Sequence, residues 1–370
     1  MKVCFVGSKN LKHMTLISLY TVFLEKNKIT YDIIYIDYEG SDEQYQGCNR
    51  IYKYTLKTPK NFSLTNRLRS ILSYRKYIRF AKKIISKEKY DFLIVWGDEA
   101  AALFSNFLTK HKCNQYSINI RDLWDFNDSK HSQRVFRSID SARFTTVSSD
   151  AFLDYLPSNN CLFVPSYNKA LLGEIKKECI NRDIPVKQEK TINIVSIGAF
   201  RNDDYNKHIV DSFANDLRFR LKFIGKGSDR IAKYCSEKNY TNVECVGAFV
   251  PDKTIDYLSD AAIVNCAYGA ASLAEKTKLP IRLYYAIFFH LPVLATSGTW
   301  IERKAKDLGM CISIPSEDLI TNCDLPKMVY SQFSKIDHHI MHMKINNHIN
   351  DIEKLHMDFE KELKTVLRIK

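Results

Sequence analysis

The sequence predicts an α/β fold of two facing Rossmann-like domains, and three observations predict it. At 370 residues the chain exceeds one ordinary core, and two domains of about 150 residues each are the natural division. Short apolar runs alternate with longer stretches of helical periodicity, as a parallel sheet with crossover helices requires. That alternation lapses from about Ser166 to Lys190, a charged stretch without a clear strand, and then restarts. The expected division is therefore an N-terminal domain over 1–165, a linker over 166–190, a second domain over 191–336 and a helical segment over 337–370 that packs back across the junction.

The elements follow in order. KVCFVG is the first strand, and Leu11 to Lys26 carries apolar residues at helical spacing. YDIIYID, DFLIVWG, YSINI and ARFTTVSS continue the strand series, each ending in polar or small residues, where loops at the carboxyl ends of strands form sites. Ser148 and Ser149 before Asp150 read as helix caps. After the linker, INIVSIGAF, LRFRLKFIGKG, NVECVGAF and AAIVNCAYG read as strands with turns. Lys278 to Thr299, KLPIRLYYAIFFHLPVLATSGT, reads as a helix and then a buried strand, with Pro280 in the first helical turn. Leu283, Tyr284, Ile287 and Phe288 commit one face of that helix to a core. Arg282 adds a full charge to the positive end of its dipole, which suits a phosphate or pyrophosphate.

A hydrophobic content of 45% and no apolar run near the roughly 20 residues of a membrane span indicate a soluble chain. The start, MKVCFVGSKN, has no signal-peptide pattern, and ten singly placed cysteines favour neither zinc nor a disulfide framework. A reducing cytoplasm is the expected home. The net charge of +13 asks for an anionic partner. Between Lys53 and Lys89 about a dozen Lys and Arg interleave with Tyr54, Phe62, Leu64, Leu68, Ile71, Leu72, Tyr74, Tyr77, Ile78 and Phe80. This is the pattern of a helix lying on anionic lipid, or of an ordinary solvated helix face. No nucleic-acid signature accompanies it. His338 and His342 are one helical turn apart, but no acidic or cysteine partner is nearby and no metal is expected.

Three further clusters carry candidate chemistry. The glycines of IGKG, Gly225 and Gly227 flanking Lys226, let backbone approach a ligand, or simply serve a strand-to-helix turn. In INIRDLWDF, Arg121 and Asp122 sit where a strand meets its loop and can reach a ligand in a cleft, and Trp124 offers a flat apolar face. Equally, Arg121 and Asp122 pair with each other and Trp124 is core. In VWGDEAA, Asp98 or Glu99 can orient or deprotonate a hydroxyl as a catalytic group, or both are acids favoured at a helix start.

The order of Pro280, Arg282, Pro292 and Val293 resembles the nucleotide-sugar segment of group 1 glycosyltransferases, P-x-K-x-x-E-x-x-x-x-G-x-P-V. The family's glutamate falls on Tyr285 and its glycine on His290; an earlier glutamate falls on Thr277, two residues from Glu275. IGKG resembles the family's G-x-G turn beside the donor diphosphate. Gly198 to Arg201 matches its glycine-containing loop, where Arg201 and Lys207 become candidates to meet donor phosphates or remain surface charges. R-D-L-W is similar to a segment of transferases that build capsules and O-antigen units. The resemblance implies a GT-B fold and transfer of a sugar from a nucleotide-diphosphate sugar to a saccharide or lipid-linked acceptor, with no metal cofactor, at the inner face of the cell membrane. It implies donor contacts from Gly198, Arg201, Lys207, Gly225, Lys226, Gly227, Pro280, Arg282 and Tyr285, and acceptor contacts from Arg121 and Trp124, with Asp98, Glu99 and Asp122 as catalytic candidates. The displaced glutamates leave stereochemistry open and admit the alternative of a non-catalytic scaffold for another transferase.

Overall fold

The structure, a computed structural model, describes residues 1–56, 64–124, 126, 128–158, 160–167, 191–200, 202–250, 253–316 and 323–369, with backbone alone at 64–71. The linker expected over 166–190 lies almost wholly outside them. The chain divides into two compact units, Met1–Pro165 with Lys354–Lys370, and Ser166–Glu353.

In the first unit the strands are β1 (Lys2–Gly7), β2 (Thr30–Asp37), β3 (Arg50–Thr55), β4 (Phe92–Trp96), β5 (Tyr116–Ile120), β6 (Phe144–Val147) and β7 (Cys161–Phe163). They form an all-parallel sheet in the order β3-β2-β1-β4-β5-β6-β7. Its helices are α1 (Ser18–Lys26), α2 (Leu64–Glu88), α3 (Asp98–His111) and α4 (Ser129–Asp140). β1 and β4 read as near-continuous apolar runs, and β5 is buried throughout although it carries Ser117 and Asn119, as in a sheet covered on both faces.

The second unit repeats the plan. β8 (Ile192–Ile197), β9 (Phe219–Ile224), β10 (Val243–Val246), β11 (Ile263–Asn265), β12 (Val293–Thr296) and β13 (Cys311–Ile314) make a parallel sheet ordered β10-β9-β8-β11-β12-β13. Around it are α5 (Asp203–Ser212), α6 (Ser228–Glu237), α7 (Thr254–Leu258), α8 (Leu273–Thr277), α9 (Ile281–Phe288), α10 (Trp300–Asp307) and α11 (Leu325–Phe333). The last helix, α12 (His338–Val366), starts in the second unit and ends in the first. Its buried positions Met341, Ile345, Ile352, Phe359, Leu363 and Leu367 step by three, four or seven, a continuous helical stripe.

Three short strands escaped the sequence reading. β3 opens the basic segment as an edge strand; β7 has three residues; β13 alternates half-buried and buried positions. Ser149 precedes a one-turn 3₁₀ helix over Asp150–Asp154 without capping it through its side chain. Ser148 instead donates from Oγ to the Arg121 carbonyl at 2.7 Å. The backbone departs from ordinary space informatively at His290. It stands where the resembled family has glycine, and its φ is +53°, with Leu291 N bonded to Ala286 O at 2.9 Å and His290 N to Ile287 O at 3.1 Å. That is a Schellman ending of α9, the position that favours glycine. His290 is held there by a stack on His342, centroids 4.5 Å apart, and by Asn346 at 3.1 Å. His342 of HHIMH is thus a packing residue.

Aromatic side chains of α2 turn inward rather than outward. Tyr77 is fully buried and donates to Gly7 O, Tyr54 packs on Tyr77 and Phe80, and Tyr74 bonds Tyr38. The exposed side carries Arg75, Lys76, Arg79 and Lys83.

Phe359 joins the first unit's core, with its ring 4.9 Å from Tyr20. Phe359→Ala should cost about 3–5 kcal/mol in urea unfolding of the first unit. A loss below 1 kcal/mol would mean that the end of α12 does not complete that core.

Candidate active site

Both sheets reverse strand order beside a central strand, at β1/β4 and at β8/β11, and loops diverge there at the carboxyl ends of the strands. Each unit's candidate residues gather at these loops.

In the second unit the loops after β8 and β9 interlock. Gly198 N donates to Ile224 O and Phe200 N to Lys226 O, both at 2.9 Å. A Cβ on Gly225, where φ is +133°, would stand 1.9 Å from Gly198 O, and one on Gly227 would stand 2.7 Å from Phe200 O. The glycines of IGKG are therefore required by backbone meeting backbone, before any ligand is considered. Lys226 between them is exposed. Arg230, which the sequence reading missed, ties the arrangement together. Its guanidinium bonds Phe200 O at 2.9 Å and both oxygens of Asp203 at 2.7 and 2.8 Å.

Arg201 lies outside the described residues. Lys207 sits in the second turn of α5, 5.4 Å from the centre of the Tyr234 ring and 3.9 Å from Asp204. Pro280 is the residue before α9, one position earlier than expected.

Arg282 departs further from expectation. Rather than standing open at a helix start it is buried, with 4% exposure, and donates to Asn265 O at the end of β11 at 2.8 Å. Its guanidinium lies 4.1 Å from the centre of the Tyr268 ring, which also receives Lys278 at 3.7 Å. Asn265 in turn donates to Ser196 Oγ of β8 at 2.9 Å, which links this cation to the strand that feeds the Gly198 loop. Among the described residues Arg282 has no carboxylate partner. Tyr268, Asn265 and Ser196 gave no signal in sequence, because each becomes relevant only through contacts across strands.

The carboxylate positions of the resembled motif are occupied otherwise. Tyr285 is buried, its hydroxyl meets Thr254, and burial pushes its phenol above the ordinary range. Glu275 closes a capping box at α8, accepting from Ala271 N at 3.0 Å and Ser272 N at 3.1 Å.

In the first unit, Asp98 and Glu99 open α3 directly after β4. Glu99 accepts from Ser8 Oγ at 3.0 Å, in the loop after β1. Asp98 pairs with His131 Nε2 at 2.9 Å, and this carboxylate holds the imidazole pKa above its ordinary value against the opposing effect of burial. Asp122 is exposed, while Leu123 beside it is buried. Trp124 is no open platform. It donates from Nε1 to Ser132 Oγ at 2.9 Å and packs on Phe126, His131 and Phe136. Arg121 places its carbonyl against Ser148. His131 was missed in the sequence because nothing in its neighbourhood marks it; only the packing of α4 on α3 brings it to Asp98.

No protein-family model and no curated protein matches the sequence. Solved structures do match its shape. The chain is similar over 100% of both chains to a sucrose-phosphate synthase from Thermosynechococcus elongatus, at TM-score 0.69 and 11% identity. It resembles the lipopolysaccharide outer core galactosyltransferase WaaB over 99% of both chains, at TM-score 0.64 and 13% identity. Anabaena HepE in complex with UDP matches at TM-score 0.58 and 10% identity, over 95% of this chain and 100% of that one. The fold is GT-B, two Rossmann-like parallel-sheet domains.

Gly225→Ala should destabilise the second unit by about 2 kcal/mol or more, from both strain and backbone collision. Chemical denaturation with a fluorescence readout checks this, and an unchanged midpoint would contradict the interlocked loops.

Proposed function

We propose that this protein is a glycosyltransferase that moves a sugar from a nucleotide-diphosphate sugar to a saccharide or lipid-linked acceptor in cell-surface polysaccharide synthesis, at the inner face of the cell membrane. The observation that carries the reading is Arg282, a buried cation without a described carboxylate, at the carboxyl end of β11 beside the strand that leads to the glycine loops. Burial of an unpaired guanidinium costs several kcal/mol, which a bound diphosphate offsets. The fold supports the same reading, since neighbours of this shape include a galactosyltransferase and a protein holding UDP or UDP-glucose. In the proposed reaction Arg282, Lys278 and the glycine loops stabilise the charge that develops on the leaving diphosphate. Gly198, Arg201, Lys207, Lys226 and Pro280 complete the proposed donor side, and Arg121 and Asp122 meet the acceptor. No metal is assigned to the transfer step.

The commitment of Tyr285 and Glu275 to packing and capping favours a second reading, a non-catalytic scaffold. Thermal shifts with UDP, GDP and their sugars, followed by turnover on a lipid-linked acceptor, separate the two. At a hundredfold excess over its dissociation constant a nucleoside diphosphate adds about 2.7 kcal/mol to stability. Arg282→Gln should remove that ligand-dependent rise. If no nucleotide or nucleotide sugar raises the melting temperature of the wild-type chain, the donor reading fails.

Membrane attachment is proposed to run through the outer side of α2. Its aromatics face inward, so the attraction is chiefly electrostatic, from Arg75, Lys76, Arg79 and Lys83 at about 1 kcal/mol each near an anionic surface. Sedimentation with phosphatidylserine vesicles should show binding that weakens from 50 to 300 mM salt and on neutralising these four side chains. Equal binding by the neutralised variant would remove the claim.

A further inference from the structure

Two cations of the second unit share one aromatic ring, and the ring comes from a loop that no motif marks. The Tyr268 ring has the Lys278 ammonium 3.7 Å and the Arg282 guanidinium 4.1 Å from its centre. Three different elements supply these residues. Tyr268 is in the loop after β11, Lys278 is the residue that ends α8, and Arg282 is in the first turn of α9. The two positive centres can be no farther apart than these distances laid end to end, about one Debye length at physiological salt. Like charges so close repel each other, and around the buried Arg282 there is little water to screen them.

The ring is fixed by its own backbone. On one side of it Ala267 N donates to Asn265 Oδ1 at 2.9 Å, and on the other Gly269 N donates to Thr296 Oγ1 of β12 at 3.2 Å. Gly269 turns the chain between these anchors with a φ of +91°. Asn265 also accepts from Arg282 at its carbonyl and donates to Ser196, so one residue ties the ring's loop, the guanidinium and β8 together. The Ser272–Glu275 capping box closes the start of α8, the helix that delivers Lys278. A carboxylate in the place of Tyr268 would hold both cations and cancel charge in doing so. An aromatic face attracts them through its quadrupole and cancels none. The charge that the ring gathers stays available to a ligand.

We propose that Tyr268 is the positioning residue of a diphosphate site, holding Lys278 and Arg282 as a pair that meets two linked phosphate groups. The inference rests on the donor reading above for the nucleotide, and every residue in it belongs to the second unit. A diphosphate relieves the repulsion at both cations at once, whereas a monophosphate spreads less charge over a shorter span. The pair therefore selects diphosphates over monophosphates.

Titration calorimetry on the full chain tests this with inorganic pyrophosphate, inorganic phosphate, and whichever of UDP or GDP gives the larger thermal shift, set beside its monophosphate. Each diphosphate should bind about tenfold more tightly than the matching monophosphate. Tyr268→Phe should keep the diphosphate affinity within threefold, Tyr268→Leu should lower it about tenfold, and Tyr268→Glu should abolish it. Phenylalanines with one, two and three ring fluorines in place of Tyr268 withdraw negative potential from the ring face with little change of shape. Their diphosphate affinity should fall stepwise in that order, whereas a ring that only fills space would give one affinity throughout. This series decides the matter even where Tyr268→Leu fails to fold. The proposal is overturned if Tyr268→Leu binds as wild type does, if the fluorinated series shows no trend, or if monophosphates bind as tightly as diphosphates; the donor reading survives each of these results. If wild type binds pyrophosphate but no nucleotide, the donor reading falls and the pyrophosphate series still judges Tyr268. If wild type binds neither, both fall.

Discussion

Reversal of strand order about a central strand is the constraint on which the rest of each unit depends. A parallel strand can be reached only by a crossover, and crossovers in opposite directions from β1 and from β8 leave the loops on either side diverging at one edge. The loop after β1 then meets the start of α3, as Ser8 and Glu99 do, and Ser196 of β8 meets Asn265 of β11. Backbone amides of helix starts point toward the same edge, so each unit has an electropositive rim before any side chain is counted. The same plan built twice, from dissimilar sequences, places candidate chemistry on corresponding edges.

The second unit uses this edge for charge. Its buried guanidinium is held by one carbonyl and an aromatic ring, neither of which neutralises it. Water is largely excluded at such a position, so an anion that reaches it interacts far more strongly than with an exposed lysine. The first unit holds a carboxylate and an imidazole at this edge, brought together by helix packing. Both arrangements are local to their own unit and are fixed by the sheet that carries them.

Several features that attract attention in the sequence turn out to serve folding. The glycines of IGKG clear space for the neighbouring loop, Glu275 caps a helix, and the aromatics of the basic segment close over the first sheet. Others that looked ordinary acquire chemistry. His131 and Tyr268 lie in stretches without any motif, and each matters because an element remote in sequence packs beside it.

The sequence by itself determined the fold class. Apolar runs spaced by helical patterns, interrupted once, dictate two parallel-sheet domains, because the period of hydrophobic burial is a local property of each segment. It also located Asp98 and R-D-L-W, since strand-end residues can be read from where apolar runs stop, and Arg282, which follows the proline that opens a helix. The short strands β3, β7 and β13 were not legible, because three to six residues at a sheet edge carry too little periodicity to stand out. Only the tertiary structure decided that Arg282 is buried without a described carboxylate, that Tyr285 packs against Thr254, and that Asp98 meets His131. Those facts depend on contacts across 17, 31 and 33 residues of chain, as seen from Asn265 to Arg282, Thr254 to Tyr285 and Asp98 to His131, and no local pattern encodes the approach of segments so far apart.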